Sequence, residues 1–225
     1  MNNEEKKSYL DKIDIPTYSH KQELFNGISH FIGLPIGLFV IIYSLVMYTN
    51  NLSVLFSLIV FGITISVLYS VSAIYHFTSP SDTKNKKIRR VTDHCTIYLL
   101  IAGTYTPICV YISSISVIGT ITLILEWSLA AIGVILNAID MNNKAIKIIS
   151  MTLYLVLGWL ILFTTGFRFI PDTSFFLILA GGIVYTIGSI LYALGHKNLN
   201  FHGVFHVFDL VGTIIQLIGV LLLFI

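Results

Sequence analysis

The sequence predicts an all-α polytopic membrane protein, a bundle of seven transmembrane helices with a cytoplasmic N-terminus and an outward-facing C-terminus. Three observations carry this reading. Hydrophobic residues make up 56% of the 225 residues and charged residues 11%, with a mean hydropathy of +0.87, whereas soluble domains carry about 25% charge. A globule so poor in charge could not cover its surface with polar groups. Apolar runs long enough to cross a bilayer, about 20 residues each, recur seven times between polar stretches. Basic residues gather on alternate connections. The net charge of +2 is too small to draw a nucleic acid, so none is expected as a partner.

Span one is expected at Gly27–Tyr48, after Asn26, with a bend at Pro35. Span two is Leu52–Phe77, ended by the turn at Thr78–Asp82, and span three is Val91–Ile112, where Pro107 would kink the helix or loosen its outer end. Ile115–Ile139, Ile146–Gly166, Thr173–Leu194 and Phe201–Ile225 supply spans four to seven. The connections are short, so neighbouring helices run antiparallel. Gly181, Gly182 and Gly188 on span six suit close helix approach. Residues 1–26 read as a polar cytoplasmic tail and 27–225 as the transmembrane domain. The tail lacks the short apolar core and small-residue cleavage site of a secretory signal peptide. Cys95 and Cys109 fall on one helix, too far apart to bond, so no disulfide framework is expected.

Charge sets the orientation. Lys6, Lys7, Lys12 and Lys21 precede span one; Lys84, Lys86, Lys87, Arg89 and Arg90 lie between spans two and three; Lys144, Lys147 and Lys197 lie on later connections of the same side. Only Arg168 falls opposite. Under the positive-inside rule that side is cytoplasmic, as expected for a multi-pass protein of a cell membrane.

The histidines then sort themselves. His20, His30, His76, His94, His196, His202 and His206 all lie in or near the cytoplasmic half, accompanied by Glu23, Asn26, Ser72, Asp93 and Asp209. Ionisable side chains inside a membrane are costly and usually mark a site. His202 and His206 are spaced i, i+4 and project from one helical face, a metal-ligand spacing. His76 and Asp93 end and begin neighbouring spans at the same depth, and Ser72 sits one turn before His76. Three imidazoles with a carboxylate-held water would make a tetrahedral site with an open position, and nitrogen ligands suit zinc better than magnesium or calcium. Plainer roles fit the rest. His94 and His196 read as structural, His20 as solvated, Cys95 as a small filler, and the Lys84–Arg90 run as a topology anchor against anionic lipid. Glu126, in the middle of span four, is expected to be protonated and hydrogen-bonded inside the bundle, the alternative being that it marks a proton or substrate path.

These residues fall in a familiar order. Glu23-x-x-Asn26-x-x-Ser29-His30-x-x-Gly33 is followed by Ser72-x-x-Tyr75-His76. Then come Arg90-x-x-Asp93-His94-x-x-Ile97-Tyr98, the run from Ile101 to Pro107, and His202-x-x-x-His206-x-Phe208. Together they resemble the hemolysin III family, the bacterial branch of the progestin and adipoQ receptor families, over nearly the whole chain. The alkaline ceramidases share the Ser-x-x-x-His, Asp and His-x-x-x-His elements more distantly. The resemblance implies a seven-helix bundle with Zn2+ held by His76, His202 and His206. Asp93 would hold the metal-bound water, and Ser72 would act beside the metal or as an oxyanion hydroxyl. Two positions depart from the pattern: Gln216 stands where histidine is frequent, and Asp209, which shares the face of His202, stands where an apolar residue is usual.

The chemistry expected of this set is hydrolysis of a lipid acyl amide or ester, the lipid coming from the cytoplasmic leaflet. Two alternatives differ in class: a membrane-lytic hemolysin, and a receptor-like regulator of membrane homeostasis with structural zinc. The outer halves of the spans offer few polar side chains to line a single-chain pore, and a homo-oligomer stays open. The orientation is directly testable. With Cys95 and Cys109 replaced by serine, Asn50→Cys should react with a membrane-impermeant maleimide in intact cells and Ser81→Cys only after permeabilisation; the reverse pattern would invert the topology.

Overall fold

A computed structural model describes residues 9–164, 168–195 and 198–225. These residues form eight α-helices and two short 3-10 turns, with no strand among the described residues: α1 (His20–Phe31), α2 (Gly33–Met47), α3 (Leu52–Phe77), α4 (Thr83–Ser113), α5 (Val117–Asp140), α6 (Lys144–Thr164), α7 (Asp172–Leu194) and α8 (Asn200–Leu221), the 3-10 turns lying at Tyr9–Lys12 and Leu222–Phe224. Helices α1 and α2 together make the first span, and each later helix makes one, so seven segments are long and apolar enough to cross a membrane.

The helix ends follow local chemistry. Ser19 and Gln22 form a reciprocal capping box that starts α1 at His20, seven residues before the apolar run begins. The break in span one falls at Ile32 rather than at Pro35 itself. Proline has no N–H to return to the carbonyl four residues earlier, so it disrupts the turn preceding it. Asp82 caps α4 through the amide of Asn85. This helix therefore starts at Thr83, eight residues before the expected Val91, and carries the whole basic run on its first two turns. Pro107 is accommodated within a helix that continues to Ser113.

Sequential spans pack side by side, α2 on α3, α3 on α4, α4 on α5 and α7 on α8, and α1 closes the ring against α3 and α8. Helix α4 also meets α6 and α8 and so stands at the centre. The main core joins residues such as Phe61, Ile65, Tyr69, Ile108 and Val220, and a smaller cluster centres on Tyr98, Ala130 and Leu157. Large apolar side chains including Val46, Val117, Phe163 and Phe176 face outward, the surface a bilayer requires and water would reject. Cys95 and Cys109 are both free.

Two contacts need a residue without a side chain. A Cβ on Gly37 would lie 2.6 Å from the Gly62 carbonyl and 2.7 Å from the Ser66 amide. One on Gly181 would lie 2.3 Å from Cγ of Gln216, between α7 and α8. A Cβ on Gly182 would make only an ordinary contact, its nearest neighbour the Trp159 ring at 3.9 Å. Between α4, α6, α7 and α8 lies a cavity of about 420 Å3.

Glu126 departs from expectation. It is fully buried, yet neither carboxyl oxygen has a hydrogen-bond partner among the described residues, and the hydroxyl of Thr122 one turn earlier has none either. Nearby donors are engaged elsewhere: the Tyr105 hydroxyl donates to the Gly158 carbonyl and the Trp127 indole to Thr106.

The backbone contact at Gly37 cannot be relieved by a rotamer change. Gly37→Val should lower stability by about 1–3 kcal/mol or abolish folding, read as a fall in melting temperature in detergent. Gly158→Ala, with nothing within 4 Å of the added carbon, should differ from wild type by only a few degrees.

Candidate metal centre

The site lies where the C-terminal end of α3 meets the first turns of α8. Ser72 and His76 are one turn apart on α3, and both are buried. On α8, His202 and His206 share a face, as their spacing requires. Nε2 of His202 lies 3.4 Å from Nε2 of His76 and 3.1 Å from Nε2 of His206. One nitrogen from each ring lies within 4.8 Å of the others. Two ligands about 2.0–2.1 Å from a tetrahedral ion stand roughly 3.4 Å apart, so this separation fits a single small cation.

Hydrogen bonds fix how the rings present themselves. Nδ1 of His76 lies 2.7 Å from Oε2 of Glu23 on α1, and Nδ1 of His206 lies 3.1 Å from the backbone carbonyl of Asn26. Both partners are acceptors, which assigns the proton to Nδ1 and leaves the Nε2 lone pair facing the shared point. This arrangement of an outer acceptor behind a ligating imidazole recurs in metal sites. Glu23 is itself held: Lys86 donates to Oε1 at 2.5 Å and to the Thr78 carbonyl at 3.0 Å.

Aromatic rings close the surroundings. His30 stacks on His206 with centroids 3.6 Å apart, and its Nε2 lies 3.9 Å from Oδ2 of Asp209. Tyr18 stacks on His202 at 5.2 Å. Burial pushes the Tyr18 hydroxyl well above its usual range, so it remains a neutral phenol. The segment before α1 crosses this inner end. Arg90 donates to the Asp14 carbonyl, Asn142 donates to the Lys12 carbonyl, and the Tyr9 hydroxyl reaches the Asn137 carbonyl at 3.4 Å.

The three predicted ligands are thus brought together. Asp93, half-buried, lies close enough to interact with both Ser72 and His76, but it is not one of the three convergent groups. His94 faces the cavity, 3.5 Å from the Tyr192 hydroxyl, and His20 is exposed. His196 lies outside the described residues. Gln216 lines the cavity and donates to the Ile178 carbonyl. Asp209 also lines the cavity, beside His30 rather than against a ligand. The expected topology anchor needs one correction. Lys84 is exposed, but Lys86 is 1% exposed and points into the site. Position eighty-six of a basic run carries no spacing signal for this; only Glu23, already within the ordered motif, hinted at a buried charge needing a partner.

The family model described as Haemolysin-III related matches residues 18–217. The chain belongs to the haemolysin III family. It is 31% identical over 203 residues to the "Hemolysin-3 homolog" of Bacillus subtilis (strain 168), covering 87% of this chain and 91% of that protein. It is 34% identical over 215 residues to the "Hemolysin-3" of Bacillus cereus, covering 94% and 95%. Haemolysin III membership and seven apolar helices make this a multi-pass membrane protein of the bacterial plasma membrane. The matched region takes in every element of the site, from Tyr18 to His206.

Proposed function

We propose that this haemolysin III protein is a zinc-dependent membrane hydrolase that cleaves a lipid acyl amide or ester at the cytoplasmic side. The observation that carries the reading is the convergence of the His76, His202 and His206 nitrogens beside a buried hydroxyl and a carboxylate. Three neutral nitrogen donors suit zinc, and the spacing of their Nε2 atoms matches a tetrahedral ion. Once bound, zinc would polarise an acyl carbonyl and make water nucleophilic near neutral pH.

The protein groups take the remaining roles. In this reading Asp93 serves as the base: its carboxylate would accept a proton as water adds to the acyl carbon, then return it to the departing nitrogen or oxygen. The products are a carboxylic acid and an amine or alcohol. The Ser72 hydroxyl can donate to the oxyanion that develops on the carbonyl oxygen. Tyr192 and Phe205 line the neighbouring cavity and also meet the His202 ring, with centroids 5.8 and 5.9 Å from it. An acyl chain lying in that mostly apolar cavity would have its polar end near this wall.

The names of the two Bacillus relatives favour a second reading, membrane lysis. The two readings separate in one set of measurements on purified protein. Wild type should carry about one zinc per chain and hydrolyse a fluorescent fatty-acyl amide or ester in micelles. His202→Ala should lose both metal and activity, while Asp93→Asn should keep metal and lose roughly 10²–10⁴-fold in rate. Hydrolysis retained by metal-free His202→Ala would reject the proposal. Liposome leakage that persists in that variant, without hydrolysis by wild type, would establish lysis instead.

A further inference from the structure

We propose that Lys86 is a positioning residue for the metal centre, acting through Glu23 on the orientation of the His76 ring. The inference rests on the metal reading of the three histidines and adds a residue that the basic run had concealed. A topology anchor belongs in the headgroup region, where its charge stays hydrated. Lys86 is instead 1% exposed, and taking an ammonium out of water is costly unless it is fully paired.

Its pairing is complete in kind. The ammonium donates to Oε1 of Glu23 and to the carbonyl of Thr78, and it lies 5.2 Å from the centroid of the Tyr75 ring. Thr78 is the C-terminal cap of α3, so its carbonyl belongs to the negative end of the helix that carries His76. The carboxylate of Glu23 is thereby gripped from one side by Lys86 while its other oxygen accepts from Nδ1 of His76. Three helices are tied in one chain: α4 through Lys86, α1 through Glu23, and α3 through both His76 and Thr78.

His76 depends on this more than its companions do. His206 is oriented by a backbone carbonyl, which no side-chain change removes, and His202 is backed by the Tyr18 ring. His76 is held by a side chain whose charge and direction both require a partner. Without Lys86, Glu23 would be a buried carboxylate with one unpaired oxygen, free to turn away from Nδ1. The ring would then lose the contact that aims Nε2 at the shared point. Removing both charges together relieves that conflict.

The test uses the full chain in detergent with Co2+ alone as the probe, reading visible absorption for coordination and competition titration for affinity. Lys86→Met should bind Co2+ about 10–100-fold more weakly than wild type, the range typical of lost outer partners, with a changed absorption band. Lys84→Met should match wild type. Glu23→Gln/Lys86→Met should bind no more weakly than Glu23→Gln alone; this comparison decides the matter even if Lys86→Met does not fold. Wild-type affinity and spectrum in Lys86→Met would overturn the inference and leave the metal site standing. So would a further tenfold loss in the double variant relative to Glu23→Gln. No Co2+ binding by wild type would overturn the metal reading, and this inference with it.

Discussion

The inner end of this bundle depends on one constraint: a buried carboxylate that keeps its charge must be satisfied on both oxygens. Glu23 meets it by accepting from His76 on one side and Lys86 on the other, at 2.7 and 2.5 Å. Breaking a buried pair of this kind typically costs several kcal/mol, because the remaining charge stays in a low-dielectric setting. The contact also draws α1 against α3 and α4. That places the Asn26 carbonyl behind His206 and the His30 ring over it. One buried carboxylate thus ties together the groups around His76 and His206.

The rest of the bundle answers to the bilayer. Its exterior is apolar, and its backbone is almost wholly helical, as a hydrocarbon environment demands. With no hydrophobic drive between helices, close packing must hold them, and the abutting glycines of α2 and α3 allow it. Several interior hydroxyls bond back to their own helix, as those of Thr64, Thr104 and Ser57 do, while Thr213 also joins α8 to α3 and α7 through the hydroxyls of Tyr69 and Tyr185. Among the described residues, Glu126 is a carboxylate buried by packing rather than by pairing. At the inner end the cross-helix bonds involve charged groups, Glu23 with His76 and Lys86.

Much of this was legible in the sequence. The seven spans show as apolar runs, and the His202–His206 pair announces its shared face through i, i+4 spacing. His76 was legible because it ends a span at the same depth. The early starts of α1 and α4 were not, because their first turns are polar and an apolar run marks only the part of a helix that meets lipid. The caps at Ser19 and Asp82 carried that information instead. The Glu23–His76 and Glu23–Lys86 contacts join residues 53 and 63 positions apart, for which no periodicity exists. Lys86 in particular looks like any neighbour in its basic run until α4 is rotated into place.

The order of the chain has a consequence for biogenesis. Glu23, His76 and Lys86 all belong to the first three spans, so this trio can assemble while the ribosome is still making the second half. His202 and His206 arrive with the final span, at the start of a helix that must slot between α1 and α7. A nascent chain halted before that insertion would hold one of the three candidate ligands, His76, without the other two. On the proposed metal reading, cation capture would wait for the seventh span, and a chain that had trapped an ion would be one whose first and seventh spans had already met.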